Sequence, residues 1–160
     1  MRGMDSLLFS VSLALLAASA QAGAFPRDTV ATTLADACFP VVATEPATGI
    51  PHVAYVNQGN VYHAWKPGPS WQTEIVATGV VGGRLLANES LDFQIMRDGT
   101  PIALYRRADR LEFAMRVNGV WAAESVSVTP TVRGLTLAVS PATGESVAAW
   151  GWRPASSTAP

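Results

Sequence analysis

A single cysteine, Cys38, is present in the 160 residues, so no disulfide can form within the chain and packing must carry its stability. Cys38 reads as a small hydrophobe, with an intermolecular bridge or a reactive thiol as the alternatives. Histidine is nearly as scarce. His52 and His63 are the only two, and with no carboxylate near them at ligand spacing they make no zinc site. Charge is sparse as well: 14% of residues are charged, and 11 basic against 12 acidic side chains leave a net charge of −1. Such a balance supplies no field for nucleic acid or an anionic membrane. There is no Gly-x-Ser-x-Gly elbow, no P-loop, no dinucleotide fingerprint and no duplicated acidic calcium loop. No cofactor is called for, and no catalytic, metal or ligand residue can be named from a motif.

What the chain does hold is punctuation. Thirteen glycines and eleven prolines recur between short apolar runs, a pattern of many short strands rather than long helices. The amino-terminal segment stands apart. Arg2 precedes the apolar run Leu7 to Ala20, and small residues follow at Ala20-Gln21-Ala22. At about 14 residues the run is short of the roughly 20 that a spanning helix needs. Residues 1–22 therefore read as a secretory signal peptide, and the mature chain as secreted or periplasmic, with no membrane attachment after cleavage.

The remainder repeats itself. At an offset of 50 residues, without a gap, Gly49 meets Gly99, Pro51 meets Pro101 and Tyr55 meets Tyr105; Ala64, Trp71, Glu74 and Val76 meet Ala114, Trp121, Glu124 and Val126. A third copy begins at "PATGESVAAW" (141–150), which matches "PATGIPHVAY" (46–55) with Trp150 in place of Tyr55. The amino-terminal "FPRDTV" (25–30) echoes "WAAESV" (121–126), with Asp28 in the place of Glu124. Periods of about 40–50 residues belong to propeller blades or helical arrays.

The pattern within a copy chooses between those two. In "LEFAMR" (111–116) apolar and polar residues alternate, as on a strand with one buried face. Asp98-Gly99 and Asn118-Gly119 supply hairpin turns. Four strands, a to d, are predicted near 39–45, 51–57, 60–66 and 71–77, and again near 90–96, 101–107, 110–116 and 121–127. The third copy offers only a near 134–140 and b near 146–152, and residues 25–30 read as a lone d strand. The fold class is all-β: an incomplete β-propeller of four-stranded antiparallel blades over residues 23–152, followed by a tail or truncation point at 153–160. Two full blades and two part-blades cannot close a ring, so self-association to complete one is an expected possibility.

At "GIPHVAY", "VYHAW" and "WQTEIV" the repeat resembles a group of secreted bacterial β-propellers with Gly-x-Pro-His-x-Ala-Tyr and Trp-x-x-Glu-x-Val blades, related in architecture to sialidase-like propellers. The resemblance spans most of residues 25–152 and implies a fold, export and a binding surface, not a chemistry. The sialidase Asp-box is missing, since "GPSWQTE" has Ser70 and Trp71 adjacent.

The polar and aromatic residues carry two readings each. Trp71 and Trp121 recur as packing anchors or stand as sugar platforms. Glu74 and Glu124 are charges on an edge strand or a carboxylate pair for glycoside hydrolysis. His63 takes the slot of Phe113 and reads as a core histidine. Arg106, Arg107, Arg110 and Asp109 form a solvated hairpin tip or a patch for an acidic sugar or phosphate. Asn88-Glu89-Ser90 fits a glycosylation acceptor in a eukaryotic pathway. The function these residues favour is a non-catalytic extracellular or periplasmic module that binds carbohydrate or protein. The rivals are a piece of a propeller glycosidase or polysaccharide lyase with its catalytic residues elsewhere, and a self-assembling structural repeat.

Overall fold

The computed structural model describes residues 28–30, 38–80, 90–128 and 132–152, with the side chains of Cys38, Val132, Arg133 and Trp152 outside that description. Residues 1–22, Asn88 and the tail from 153 also lie outside it.

The described chain is all-β. Strands β1 (Cys38–Thr44), β2 (Pro51–Asn57), β3 (Asn60–Trp65) and β4 (Gln72–Thr78) form one antiparallel sheet in chain order. Strands β5 (Leu91–Ile95), β6 (Pro101–Arg106), β7 (Leu111–Val117) and β8 (Val120–Ser127) form a second. A third sheet pairs β9 (Val132–Val139) with β10 (Ser146–Trp152). These are the a–d strands read from the sequence, with ends shifted by two residues or fewer. The exception is the lone amino-terminal strand: residues 28–30 belong to no strand, and 25–27 lie outside the described residues.

The turns show why the repeat holds its register. Asn118 and Gly119 both have positive φ, 50° and 81°, the two left-handed residues of a tight hairpin. Gln58 and Gly59 do the same between β2 and β3, at 49° and 72°. The two "PATG" loops close alike: Gly49 N–H donates to Glu45 O and Gly144 N–H to Ser140 O, both at 2.9 Å. Even irregularity repeats, because β3–β4 and β7–β8 each carry a register shift at the equivalent place.

The sheets stack face to face. Strand β6 is buried from Pro101 to Tyr105, which a strand with one solvated face would not be. Its Ala103 and Tyr105 enter a core shared with the first sheet, alongside Ala54, Val56, Val61 and Phe93. Its Ile102 and Leu104 enter a core shared with the third sheet, alongside Leu135 and Leu137. The middle sheet is thus a blade packed between two others. Each fully buried aliphatic side chain contributes roughly 1.5–3 kcal/mol before the cost of ordering. Cys38 lies at the start of β1, opposite Val56.

Candidate functional site

The polar groups singled out in the sequence converge on the seam between the first two blades. Antiparallel pairing places His63 opposite Glu74 and Ala54, so His63 and Glu74 share one face of the first blade with His52. That face looks at the second blade, where Arg116 and Trp121 are themselves cross-strand partners.

The bonds form a continuous chain. His52 Nδ1 lies 2.8 Å from His63 Nε2, and His63 Nδ1 lies 3.0 Å from Glu74 Oε1. Trp121 donates its indole N–H to Glu74 Oε1 at 2.9 Å, and Arg116 reaches the same carboxylate with Nε at 2.8 Å and Nη2 at 3.1 Å. Around this line sit aromatic rings. His63 stacks on Trp65 with centroids 4.9 Å apart and meets Trp121 edge-on at 5.7 Å, while Arg116 lies over the Trp65 ring.

One protonation pattern satisfies the chain. The Glu74 carboxylate accepts from His63 Nδ1–H, His63 Nε2 accepts from His52 Nδ1–H, and His52 Nε2 keeps a lone pair. That last atom is buried without a hydrogen-bond partner. Burial pushes His52 down to about 4, with the neighbouring His63 adding to the effect and Glu45 opposing it. Burial lowers His63 too, against the pull of Glu74. For Glu74 burial works upward, but the bonds from His63, Trp121 and Arg116 outweigh it and hold the carboxyl below its ordinary value.

These contacts correct two readings of the sequence. The histidines do have a partner carboxylate; Glu74 is 11 residues from His63 in the chain and directly opposite it in the sheet. Glu74 lies on an edge strand, yet its side chain turns into the seam rather than guarding the edge. The packing role of Trp121 is seen directly, since it lies against the shared core. Glu124 is the exposed counterpart on β8, and so the two glutamates are not a facing pair. Arg116 went unnoticed in the sequence, although the recurrence of a basic residue five positions before each tryptophan, Lys66 and Trp71, Arg116 and Trp121, was there to find.

The same latch occurs one blade earlier. Lys66 donates to the Asp28 carboxylate, which it holds below the usual carboxylate range. The indole of Trp71 adds to that lowering without completing a full hydrogen bond. Asp28, Glu74 and Glu124 are the residues that the sequence aligns.

Asp109 is exposed at the hairpin tip, but Arg107 and Arg110 fold back from it onto an internal carboxylate. Glu112 is buried at the base of the β6–β7 hairpin, where Arg107 Nε and Arg110 Nε approach it at 2.7 Å each and the Tyr105 hydroxyl donates to it at 2.9 Å. Burial alone would raise Glu112, but these three partners bring it below the ordinary value. Arg107 also donates to Thr78 O of the first blade at 2.6 Å. Arg110 reaches Asp109 as well. Two of the three guanidiniums that could have met an acidic sugar, Arg107 and Arg110, are turned to an internal carboxylate. Ser90, from the glycosylation triplet, is fully buried.

Among the described residues no three His, Cys, Asp or Glu side chains are grouped to hold a metal ion. A shallow groove of about 440 Å³ opens instead at the rim between the second and third blades, lined by Met96, Arg97, Asp98, Thr143 and Gly144. Its walls are tied by Arg97, which donates to Ala142 O at 3.1 Å. No known protein family, curated protein or solved structure matches the chain.

Proposed function

We propose that the chain is a non-catalytic binding module of an exported, propeller-like repeat protein, with carbohydrate or a protein segment as its ligand. One observation carries this reading: of the acid–base side chains that could run a hydrolysis, His52, His63, Glu74 and Glu112 are turned inward and bonded to other protein groups, and the exposed Glu124 does not face Glu74. A group so engaged is a poor general acid or base, because a reacting proton must be within reach of substrate. The leader-like residues 1–22 support export, and the blade pattern supports the architecture. The rim groove around Arg97 and Asp98 is the surface offered to ligand. It is open and sets the charged Arg97 and Asp98 and the Thr143 hydroxyl beside the apolar Met96, a mixture that the hydroxyls and apolar face of a sugar ring can meet.

A glycan array probed with the full chain, followed by calorimetry on any hit, tests the reading. Retention of a glycan that is recovered unchanged, and weakened by Arg97→Ala, is the expected result. Release of a shortened product from any glycoside would replace the module with the glycosidase reading.

A second reading is structural, assembly through an unfinished third blade. It has its own observation: Val147 is 66% exposed and Trp150 39% exposed on β10.

A further inference from the structure

Equivalent positions of the three b strands differ in exposure. Tyr55 and Tyr105 are 7% and 1% exposed, against 39% for Trp150 in the same slot. The strand that follows explains the difference. Tyr55 stacks on Tyr62 of β3 at 5.3 Å, and Tyr105 is capped by Glu112 of β7. Tyr55 faces away from the second blade, and Tyr62, its cross-strand neighbour, is part of its cover. Trp150 faces the second blade and is still open. What Trp150 lacks, among the described residues, is a strand pairing with the free edge of β10. A groove of about 310 Å³ lies beside it, lined by Gly134, Leu135, Thr136, Ala149, Trp150 and Gly151.

A second, independent observation lies on the blade in front. Glu124 pairs with Phe113 across β7–β8, on the face that looks toward the third blade. It is the repeat equivalent of Asp28 and Glu74, each of which binds a cation at the end of the following blade's third strand: Lys66, just past β3, for Asp28, and Arg116 of β7 for Glu74. Among the described residues Glu124 meets no such cation.

We infer that the free edge of β10 and the carboxylate of Glu124 together form an acceptor site for a β-hairpin of defined chemistry. Its first strand pairs with β10 and sets a side chain over Trp150. Four residues further on it carries a lysine or arginine, and five beyond that a tryptophan, both directed at Glu124. The spacing is that of Tyr62, Lys66 and Trp71 and of Glu112, Arg116 and Trp121. Backbone bonds to the edge supply affinity, and the cation and indole supply register. This rests on the second reading above, that the third blade is unfinished.

The probe is a fluorescent synthetic peptide with the sequence of residues 108–128, added to the full chain and followed by anisotropy and by hydrogen exchange of β10 amides. The expected result is saturable binding that slows exchange in β10. Glu124→Gln in the chain, or Arg116→Ala in the peptide, weakens it about tenfold. Glu124→Arg paired with a peptide carrying Arg116→Glu restores it. Binding indifferent to Glu124→Gln overturns the cation–indole latch while leaving the unfinished-blade reading in place. No binding, with a concentration-dependent dimer by light scattering, overturns the hairpin as occupant and gives the edge to a second copy. No binding from a monomer overturns both.

Discussion

Trp121 donates its indole N–H to Glu74 across the seam between two sheets, joining residues 47 positions apart. Because Arg116 and His63 converge on the same carboxylate, Glu74 is the point where one blade is fixed to the next.

Glu74→Gln keeps the shape of the side chain but removes the charge that Arg116 and the indole address. We expect a loss of about 2 kcal/mol in urea unfolding. Trp121→Phe removes the N–H and keeps most of the packing, at about 1 kcal/mol. The double variant should cost less than the sum of the two, since both remove one shared bond. Strict additivity would mean that the contact contributes nothing.

Leu104 and Val42 test whether the blades depend on one another. Leu104 is fully buried between the second and third sheets, whereas Val42 is 67% exposed on the outer face of the first. Leu104→Ala should cost about 3 kcal/mol and speed hydrogen exchange in β9 and β10 before the rest of the chain. Val42→Ala should stay within about 0.5 kcal/mol. Equal effects at the two sites would refute a core shared across sheets.

The strands and turns were legible because they are local. Period-two alternation in "LEFAMR" and the dipeptide Asn118-Gly119 need no distant information, and the 50-residue echo showed that they form blades. The seam was harder to read. Glu74 looks like an edge charge from its own strand, and only the facing blade reveals Arg116 and Trp121 as its partners. His63 was placed in the core by its correspondence with Phe113, but its bond to Glu74 depends on strand register. The buried role of Glu112 was masked in the same way, since Arg107 and Arg110 resemble an exposed basic tip until the hairpin folds them back.

Glu112 gives a sharper test of that hairpin. It is 7% exposed and carries two guanidiniums and a tyrosine hydroxyl. Glu112→Ala leaves Arg107 without its counter-charge beside the shared core and Arg110 with only the exposed Asp109, a loss of about 3 kcal/mol. Tyr105→Phe removes one neutral donor and should cost about 1 kcal/mol. If Glu112→Ala unfolds at the same urea concentration as the parent chain, the cluster is a surface ion pair of no consequence.

Acid should loosen the seam between the first two blades, and the histidines set the window. His52 takes up its proton near pH 4 in the folded chain and near pH 6.5 when unfolded. Between those values the unfolded state holds more protons, so stability falls as pH falls. His63 shifts in the same direction, and the lowered Glu74 carboxyl extends the loss below pH 4.5. Because the site keeps some contact with water, the histidine part is on the order of 2 kcal/mol rather than the full value of the shift. The second blade shows how to remove it, since Ile102 and Phe113 occupy the slots of His52 and His63 and are packed without any charge to titrate. The double variant His52→Ile, His63→Phe should fold, retain the Glu74 bonds to Arg116 and Trp121, and lose the slope in unfolding free energy between pH 6.5 and 4. A parent chain with no slope there, or a variant that keeps it in full, would place the acid sensitivity elsewhere than in the two buried imidazoles.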